Sequence, residues 1–344
     1  MRDSFVCVRI TRLNGIDLNR FEFDYDVTWN SFFLDSQLNV YSRYGGRDHG
    51  DPEARLSKSS LLKTMKEVLD VHQLALKSDV NGREKFFQPI PKQPFRPHDI
   101  PLLRKNHGGC VHCHQVKEYR ILQSYHDGKF DRWQLFRFPL PENVGITIDH
   151  EHGFLAKSVK FGSAAKDAGV KAGDVIRRIN QIPIRSEYDI RWALDKNKTD
   201  QIDFELERGG AIVRAKLKPT ENWKQTNLGW RKSIRSAPLP FAMRGYPLVR
   251  SQRAKMKLPA TGLALKVVSV RGEGFSTNLG LKKLDVIIGL NGRHPNRTLN
   301  EFKSDLISRY DPGDTVRLTV WRDGKRVQLS GPFPDWFTEE ESVP

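Results

Sequence analysis

Cys110-Val111-His112-Cys113-His114 is the stretch best equipped for chemistry. Two cysteines three positions apart, with histidine directly after the second, form the pattern that attaches c-type haem. Cys110 and Cys113 would each take a thioether bond to a porphyrin vinyl group, and His114 would become the proximal iron ligand. Zinc is the rival: Cys110 and Cys113 have zinc-ligand spacing, and His107, His112, His114 and His126 are available to complete a tetrahedral set. The chain has three cysteines in all and no second Cys-x-x-Cys, so zinc would draw on histidine. A simple disulfide or a chance match is the plain alternative. The sixth iron ligand is not readable, since His98, His107, His126, Met243 and Met256 all qualify by type.

Other reactive-looking groups are weaker. His150 and His152 flank Glu151 without making His-Glu-x-x-His, and read as exposed loop histidines. Ser60–Lys63 and Ser163–Lys166 match Ser-x-x-Lys, but both lie on ordinary helical patterns. No Gly-x-Ser-Gly-Gly-like serine appears, and no stretch of about 200 residues is left to house a trypsin-like catalytic domain. Enzyme activity would have to come through haem or through a missing N-terminal half.

These residues need elements to hold them. In residues 1–79, Phe5–Ile10 alternates like a strand, Trp29–Leu34 and Asn39–Arg43 read as a hairpin, and Leu61–His72 has helical periodicity. That order resembles a degenerate C-terminal half of a thioredoxin fold. No Cys-x-x-Cys precedes the first strand, and no proline stands near Val27-Thr28. Cys7 lacks a resolving partner for thiol exchange, so it is expected as a buried core cysteine. Residues 80–138 carry Pro89, Pro91, Pro94, Pro97 and Pro101, which deny helix interiors, and then deliver the cysteine motif.

Residues 139–219 contain Val144-Gly145-Ile146-Thr147-Ile148, then Gly162-Ser163-Ala164-Ala165, then Gly173-Asp174-Val175-Ile176 and Ile179-Asn180-Gln181. This run resembles a PDZ domain of the type found in bacterial periplasmic proteases. A second helix is expected from Tyr188 to Leu194, with Gln201–Arg208 and Ala211–Leu217 closing the fold through Gly209-Gly210. A copy follows at residues 259–335, where Gly280 to Gly292 aligns with Gly169 to Gln181 at an offset of 111, with Leu284 in place of Gly173. The expected architecture is therefore α+β and multidomain: a partial thioredoxin-like piece, an irregular Cys-x-x-Cys-His segment, and two PDZ-like β-barrel or sandwich domains. A basic linker (220–258) would join the two PDZ-like domains, and an acidic tail (336–344) would end the chain.

In the PDZ family an extended peptide adds to the sheet as a strand, and loop amides hold its terminal carboxylate. The resemblance implies Val144, Gly145 and Ile146 as that loop, with Tyr188, Ala193 and Leu194 lining the groove. It implies Gly262, Leu263 and Phe302 for the second copy. Apolar residues at such positions also serve as ordinary core.

The balance of 57 basic and 41 acidic residues gives a net charge of +16. From Asn222 to Gly272 there are eleven Lys and Arg and no acidic residue. No nucleic-acid motif accompanies that run, which reads as a solvated connector or a surface for an acidic partner. No stretch reaches the roughly 20 apolar residues of a membrane helix. Met1-Arg2-Asp3-Ser4 leads straight into a strand-like run, not a signal peptide, whereas c-type haem is attached outside the cytoplasm. Export is still the expectation, with the recorded start lying inside the gene or the signal removed.

Phe23-Asp24-Tyr25-Asp26, Arg43-Tyr44-Gly45-Gly46-Arg47, Cys113-His114-Gln115-Val116 and Pro139-Leu140-Pro141-Glu142-Asn143 together resemble exported multidomain proteins of planctomycete-type bacteria. Three functions follow as expectations. One is a periplasmic PDZ adaptor that binds peptide or protein C-termini and carries haem c for electron transfer to a partner or for redox sensing. Another is a thiol-redox or haem-dependent enzyme missing its catalytic half. The third is a zinc-stapled interaction scaffold.

Overall fold

The computed structural model describes residues 2–106, 109–236, 243–270, 272 and 274–335. His107, Pro238, Pro240 and the acidic tail lie outside the described residues. The chain divides into two compact units, residues 1–120 with 133–226 and residues 121–132 with 227–344.

In the first unit, β1 (Asn30–Leu34) and β2 (Val40–Gly45) form the expected antiparallel hairpin, with Asn30 opposite Gly45. Asp35 shapes the turn by accepting the N–H groups of Gln37 and Asn39 at 2.9 and 2.8 Å. The helix Lys58–Lys77 starts at Ser57, whose Oγ accepts the Ser60 N–H. Phe33, Tyr41, Tyr44, Val68 and Ala75 make one core between hairpin and helix, and Phe5, Leu61 and Met65 pack against it.

The expected strand Phe5–Ile10 does not form. Val6 and Val8 are 94% and 80% exposed, and Cys7 is exposed rather than buried. Alternation alone cannot make a strand when no neighbour offers main-chain partners. What stands in place of a thioredoxin half is a two-stranded sheet backed by one helix.

Further along this unit, β3 (Ile146–Ile148) pairs with β4 (Ala156–Val159). β5 (Val175–Ile179), β6 (Ile182–Pro183), β7 (Ile202–Arg208) and β8 (Ala211–Leu217) form a sheet in the order β6-β5-β7-β8. A bridge from Leu155 to Val175 ties the two sheets. Gly209 and Gly210 both take positive φ, 57° and 82°, which lets two residues close the β7–β8 hairpin. The helix Glu187–Lys196, called here the first groove helix, is capped by Ser186.

In the second unit, β9 (Met243–Pro247), β10 (Leu265–Val270), β11 (Val286–Leu290), β12 (Thr315–Arg322) and β13 (Lys325–Pro332) form one antiparallel sheet in the order β13-β12-β11-β10-β9. The second groove helix is Leu299–Arg309, with a Thr298/Glu301 capping box. β9 comes from the stretch expected as a linker, and Leu228, Ser233, Ile234 and Leu248 from that stretch are buried. The stretch is therefore folded structure among its described residues, with Arg231 and Arg253 themselves buried. No helix among the described residues is long and apolar enough to cross a membrane.

Candidate peptide grooves

The internal repeat is written in the hydrogen bonds. Asp174 accepts from the Lys171 N–H at 2.8 Å and from Arg208 Nε at 2.7 Å, and Arg208 also donates to the Gly169 carbonyl at 2.8 Å. Asp285 repeats this with Lys282 at 2.8 Å and Arg322 at 2.7 Å, and Arg322 reaches the Gly280 carbonyl at 2.8 Å. Asn180 bonds Asp203 main chain in both directions, as Asn291 does Arg317. Burial alone would raise the Asp174 carboxyl, but the Arg208 hydrogen bond and the Lys171 amide hold it below its ordinary value. Even the departure at Leu284 keeps the backbone: it has φ 78° where Gly173 has 89°.

Strand register fixes the equivalence of the grooves. Ile146, Thr147 and Ile148 stand opposite Val159, Ser158 and Ala156. Met243, Arg244 and Gly245 stand opposite Val270, Ser269 and Val267, which are those three partners moved on by 111. β9 is thus the counterpart of β3, and β10 that of β4. Gly262 and Leu263 lead into β10, so they are not level with Gly145 and Ile146. Residues 241 and 242, which precede β9, lie outside the described residues.

At the first groove, Val144 and Ile146 are buried, and Gly145 takes φ 92°. A Cβ there would fall 2.1 Å from Ser163 Oγ, so only glycine fits. The Gly145 N–H donates to the Glu142 carbonyl at 3.0 Å, which takes it out of use for an incoming carboxylate. Every residue of the helix from Glu187 to Leu194 is buried; Tyr188 is 1% exposed, and Ala193 and Leu194 are fully enclosed.

The chain itself does the covering. The Tyr188 ring stacks on Phe138 at 5.6 Å, its hydroxyl accepts the Asp24 N–H at 2.5 Å, and Gly46 lies so close that a Cβ would meet the ring at 2.8 Å. Burial pushes the Tyr188 hydroxyl up from its ordinary pKa. Arg191 sits 3.6 Å from Asp24 and donates to the Phe138 carbonyl at 3.3 Å. Asp189 accepts from Ser42 Oγ, the Arg43 N–H, Gln88 Nε2 and the Arg185 N–H at 2.6, 2.8, 2.6 and 3.0 Å. The Arg43 guanidinium lies 3.8 Å over Trp192, and burial brings its pKa down to about 10. Glu22 accepts from Trp192 Nε1 at 2.9 Å and pairs with Arg137 at 2.8 Å and with Lys196. Burial would raise Glu22, but those cations bring its carboxyl to about 2. None of these partners from residues 22–138 was legible as a groove residue, because each gains its role from contacts 50 or more positions away in sequence.

The second groove differs. Phe302 is fully buried as core, the counterpart of Ile190. The helix keeps partly exposed positions at Leu299, Asn300, Lys303 and Asp305. Among the described residues β9 has one strand neighbour, β10, so its other edge is open. Asn227 donates to Glu301 at 2.7 Å and covers the start of this helix.

At the cysteine motif, Cys113 opens the helix Cys113–His126, and all three cysteines are free thiols. Cys110 is exposed; Cys113 is half-buried, and burial raises its thiol. His114 Nδ1 lies 3.6 Å from a Glu118 carboxylate oxygen one helical turn on. Cys110, Cys113 and His114 are the donor types that covalent haem would require. No group of three or more His, Cys, Asp or Glu that could hold a metal ion occurs among the described residues. His126 lies exposed beside Asp127.

Residues 143–218 and 248–330 each match the PDZ domain family. The chain carries two PDZ domains. Over 185 residues it is 27% identical to the periplasmic serine endoprotease DegP of Salmonella typhimurium, covering 54% of this chain and 35% of that protein. The chain thus spans about a third of the length of this curated relative. Among solved structures, HtrA-type protease AlgW with tripeptide is 13% identical, covers 56% of this chain and 67% of that one, and has a TM-score of 0.26. An aminopeptidase N family protein from Idiomarina loihiensis is 20% identical over 31% of this chain and 16% of its own, with a TM-score of 0.23. Overlaps of that size carry no weight for the fold; the family match and the duplicated hydrogen bonds do. The first PDZ domain contributes a helix that is covered along Glu187–Leu194, and the second a helix with partly exposed positions beside a strand edge that is open among the described residues.

Proposed function

We propose that this protein is an exported adaptor that binds peptide or protein C-termini through its second PDZ domain, while its first PDZ domain serves as the frame on which the N-terminal region is built. The observation that carries this reading is the contrast between the grooves. The first groove helix is buried from Glu187 to Leu194 by the chain's own residues, whereas the second groove helix keeps Leu299, Asn300, Lys303 and Asp305 partly exposed, and β9 has an unpaired edge among the described residues. Strand addition needs such an edge, since main-chain hydrogen bonds supply the affinity. Export rests on the likeness to a periplasmic relative. Isothermal titration of the full chain with C-terminal peptides tests the reading: one site per chain is expected, and two sites of similar affinity would overturn it.

A second reading adds haem c to this adaptor as an electron-transfer or redox-sensing group. The Cys-x-x-Cys-His donor set, with Cys113 and His114 at the start of one helix, favours it. Cys110 and Cys113 would hold the porphyrin through thioether bonds and His114 the iron, which would supply one-electron chemistry. A pyridine haemochrome spectrum of protein made with the haem-attachment machinery is expected to show the c-type band. A spectrum without it would remove this reading and leave the peptide-binding one untouched.

A further inference from the structure

The second groove also carries a sign of what it selects, and this step rests on its being the ligand site. Two caps set the groove helices in one register. Ser186 accepts the Asp189 N–H, and Thr298 accepts the Glu301 N–H, each three residues on. The fifth residue past the cap is Arg191 in the first helix and Lys303 in the second.

In the first helix, this cation faces an acidic segment of the same chain. Asp24 lies 3.6 Å from Arg191, and the Asp24 N–H donates to Tyr188 Oη at 2.5 Å, so main chain and carboxylate of one residue are both read. Removing a charge from water is costly unless an opposite charge meets it. Arg191, 1% exposed, meets Asp24.

Lys303 stands at the same helical position and is half-buried, and burial lowers its pKa from the ordinary lysine value. Among the described residues it has no hydrogen-bond or ion-pair partner. On β9, Arg244 is exposed and its side chain is likewise without a hydrogen-bond or ion-pair partner among the described residues, with Tyr246 40% exposed two positions on. The surrounding run from Asn222 to Gly272 supplies no acidic residue to neutralise either cation.

We propose that the second groove selects acidic peptide tails, taking from a partner the carboxylate that the first groove helix takes from Asp24, and that Lys303 is the specificity-determining residue. A Glu or Asp side chain against Lys303 would relieve its uncompensated burial. Arg244 would add attraction and speed encounter without being tightly bonded. Neutral tails would gain the strand hydrogen bonds alone.

The test uses the full chain and fluorescein-labelled decapeptides with a free C-terminal carboxylate and an apolar last residue, identical except for Glu, Gln or Lys at two internal positions. Fluorescence anisotropy at about 50 mM salt is expected to rank Glu roughly tenfold tighter than Gln, with Lys weakest, and the gap should narrow at about 500 mM salt. Lys303→Gln should bring the Glu and Gln peptides within about twofold, whereas Lys303→Arg should keep them apart, which also shows that the helix folds. Equal affinity for Glu and Gln peptides on the unaltered chain would overturn the acidic selectivity and leave the groove as a peptide site. A gap that survives Lys303→Gln would overturn the role of Lys303. Binding of none of the three peptides would overturn the underlying reading as well.

Discussion

Leu284 holds φ 78° at 63% exposure, a left-handed backbone that its counterpart Gly173 adopts at φ 89°. A branched side chain there costs on the order of 1–2 kcal/mol of backbone strain, and its exposed methyl groups recover little by burial. Leu284→Gly is therefore expected to stabilise the second PDZ domain by about 1 kcal/mol even after the entropy a glycine loses, read as a higher midpoint in urea; a lower midpoint would contradict the assignment. Single residues were unevenly legible in the sequence. Gly173-Asp174-Val175-Ile176 announced its turn and strand, and Leu284 stood out as a departure. Arg208 and Arg322, which bind the two aspartates and the carbonyls of Gly169 and Gly280, carried only the weak signal of an arginine ending each of two similar strands. Cys7 was misread because its neighbours alternate, yet those neighbours face water.

The first groove helix and the β1–β2 hairpin are locked through Asp189, whose carboxylate takes four donors, from Ser42, Arg43, Gln88 and Arg185. Asp189→Ala would leave Arg43 enclosed without that acceptor, a loss of about 3–5 kcal/mol. Faster hydrogen exchange across residues 30–45 than in the unaltered chain is the expected sign, and unchanged protection there would argue that the hairpin is held elsewhere. Elements with strong local patterns were the ones legible beforehand: the hairpin, the helix within Lys58–Lys77, and the first groove helix, though not the residues that cap them. β9 was missed because Met243-Arg244-Gly245-Tyr246-Pro247 mixes a glycine, a proline and a charge, and only pairing with β10 makes it a strand. The closure of the first groove could not be read at all. It depends on Asp24, Gly46 and Phe138, none of which is near Tyr188 in sequence.

At the scale of the whole molecule, the +16 charge divides into cations that are answered and cations that are not. Arg137, Lys196 and Arg191 are answered by Glu22 and Asp24 within the first unit. Glu22 makes this pH-sensitive. Its carboxyl falls from the ordinary 4.5 to about 2, so the folded state binds its proton less readily than the unfolded state. The stability it confers is fully present above about pH 4.5 and is lost as pH falls towards 2, a few kcal/mol in all. Glu22→Gln should flatten the urea midpoint across that window, and an unchanged pH profile would contradict the network. The cations around the second groove, Lys303 and Arg244, look outward for their counter-charge. One groove is filled from within and one is left for a partner, a difference that hydrogen exchange with mass spectrometry reads on the full chain bound to an acidic C-terminal peptide. New protection is expected at residues 243–247 and 299–309, with 146–148 and 187–196 unchanged. Protection at 146–148 and 187–196 would contradict it.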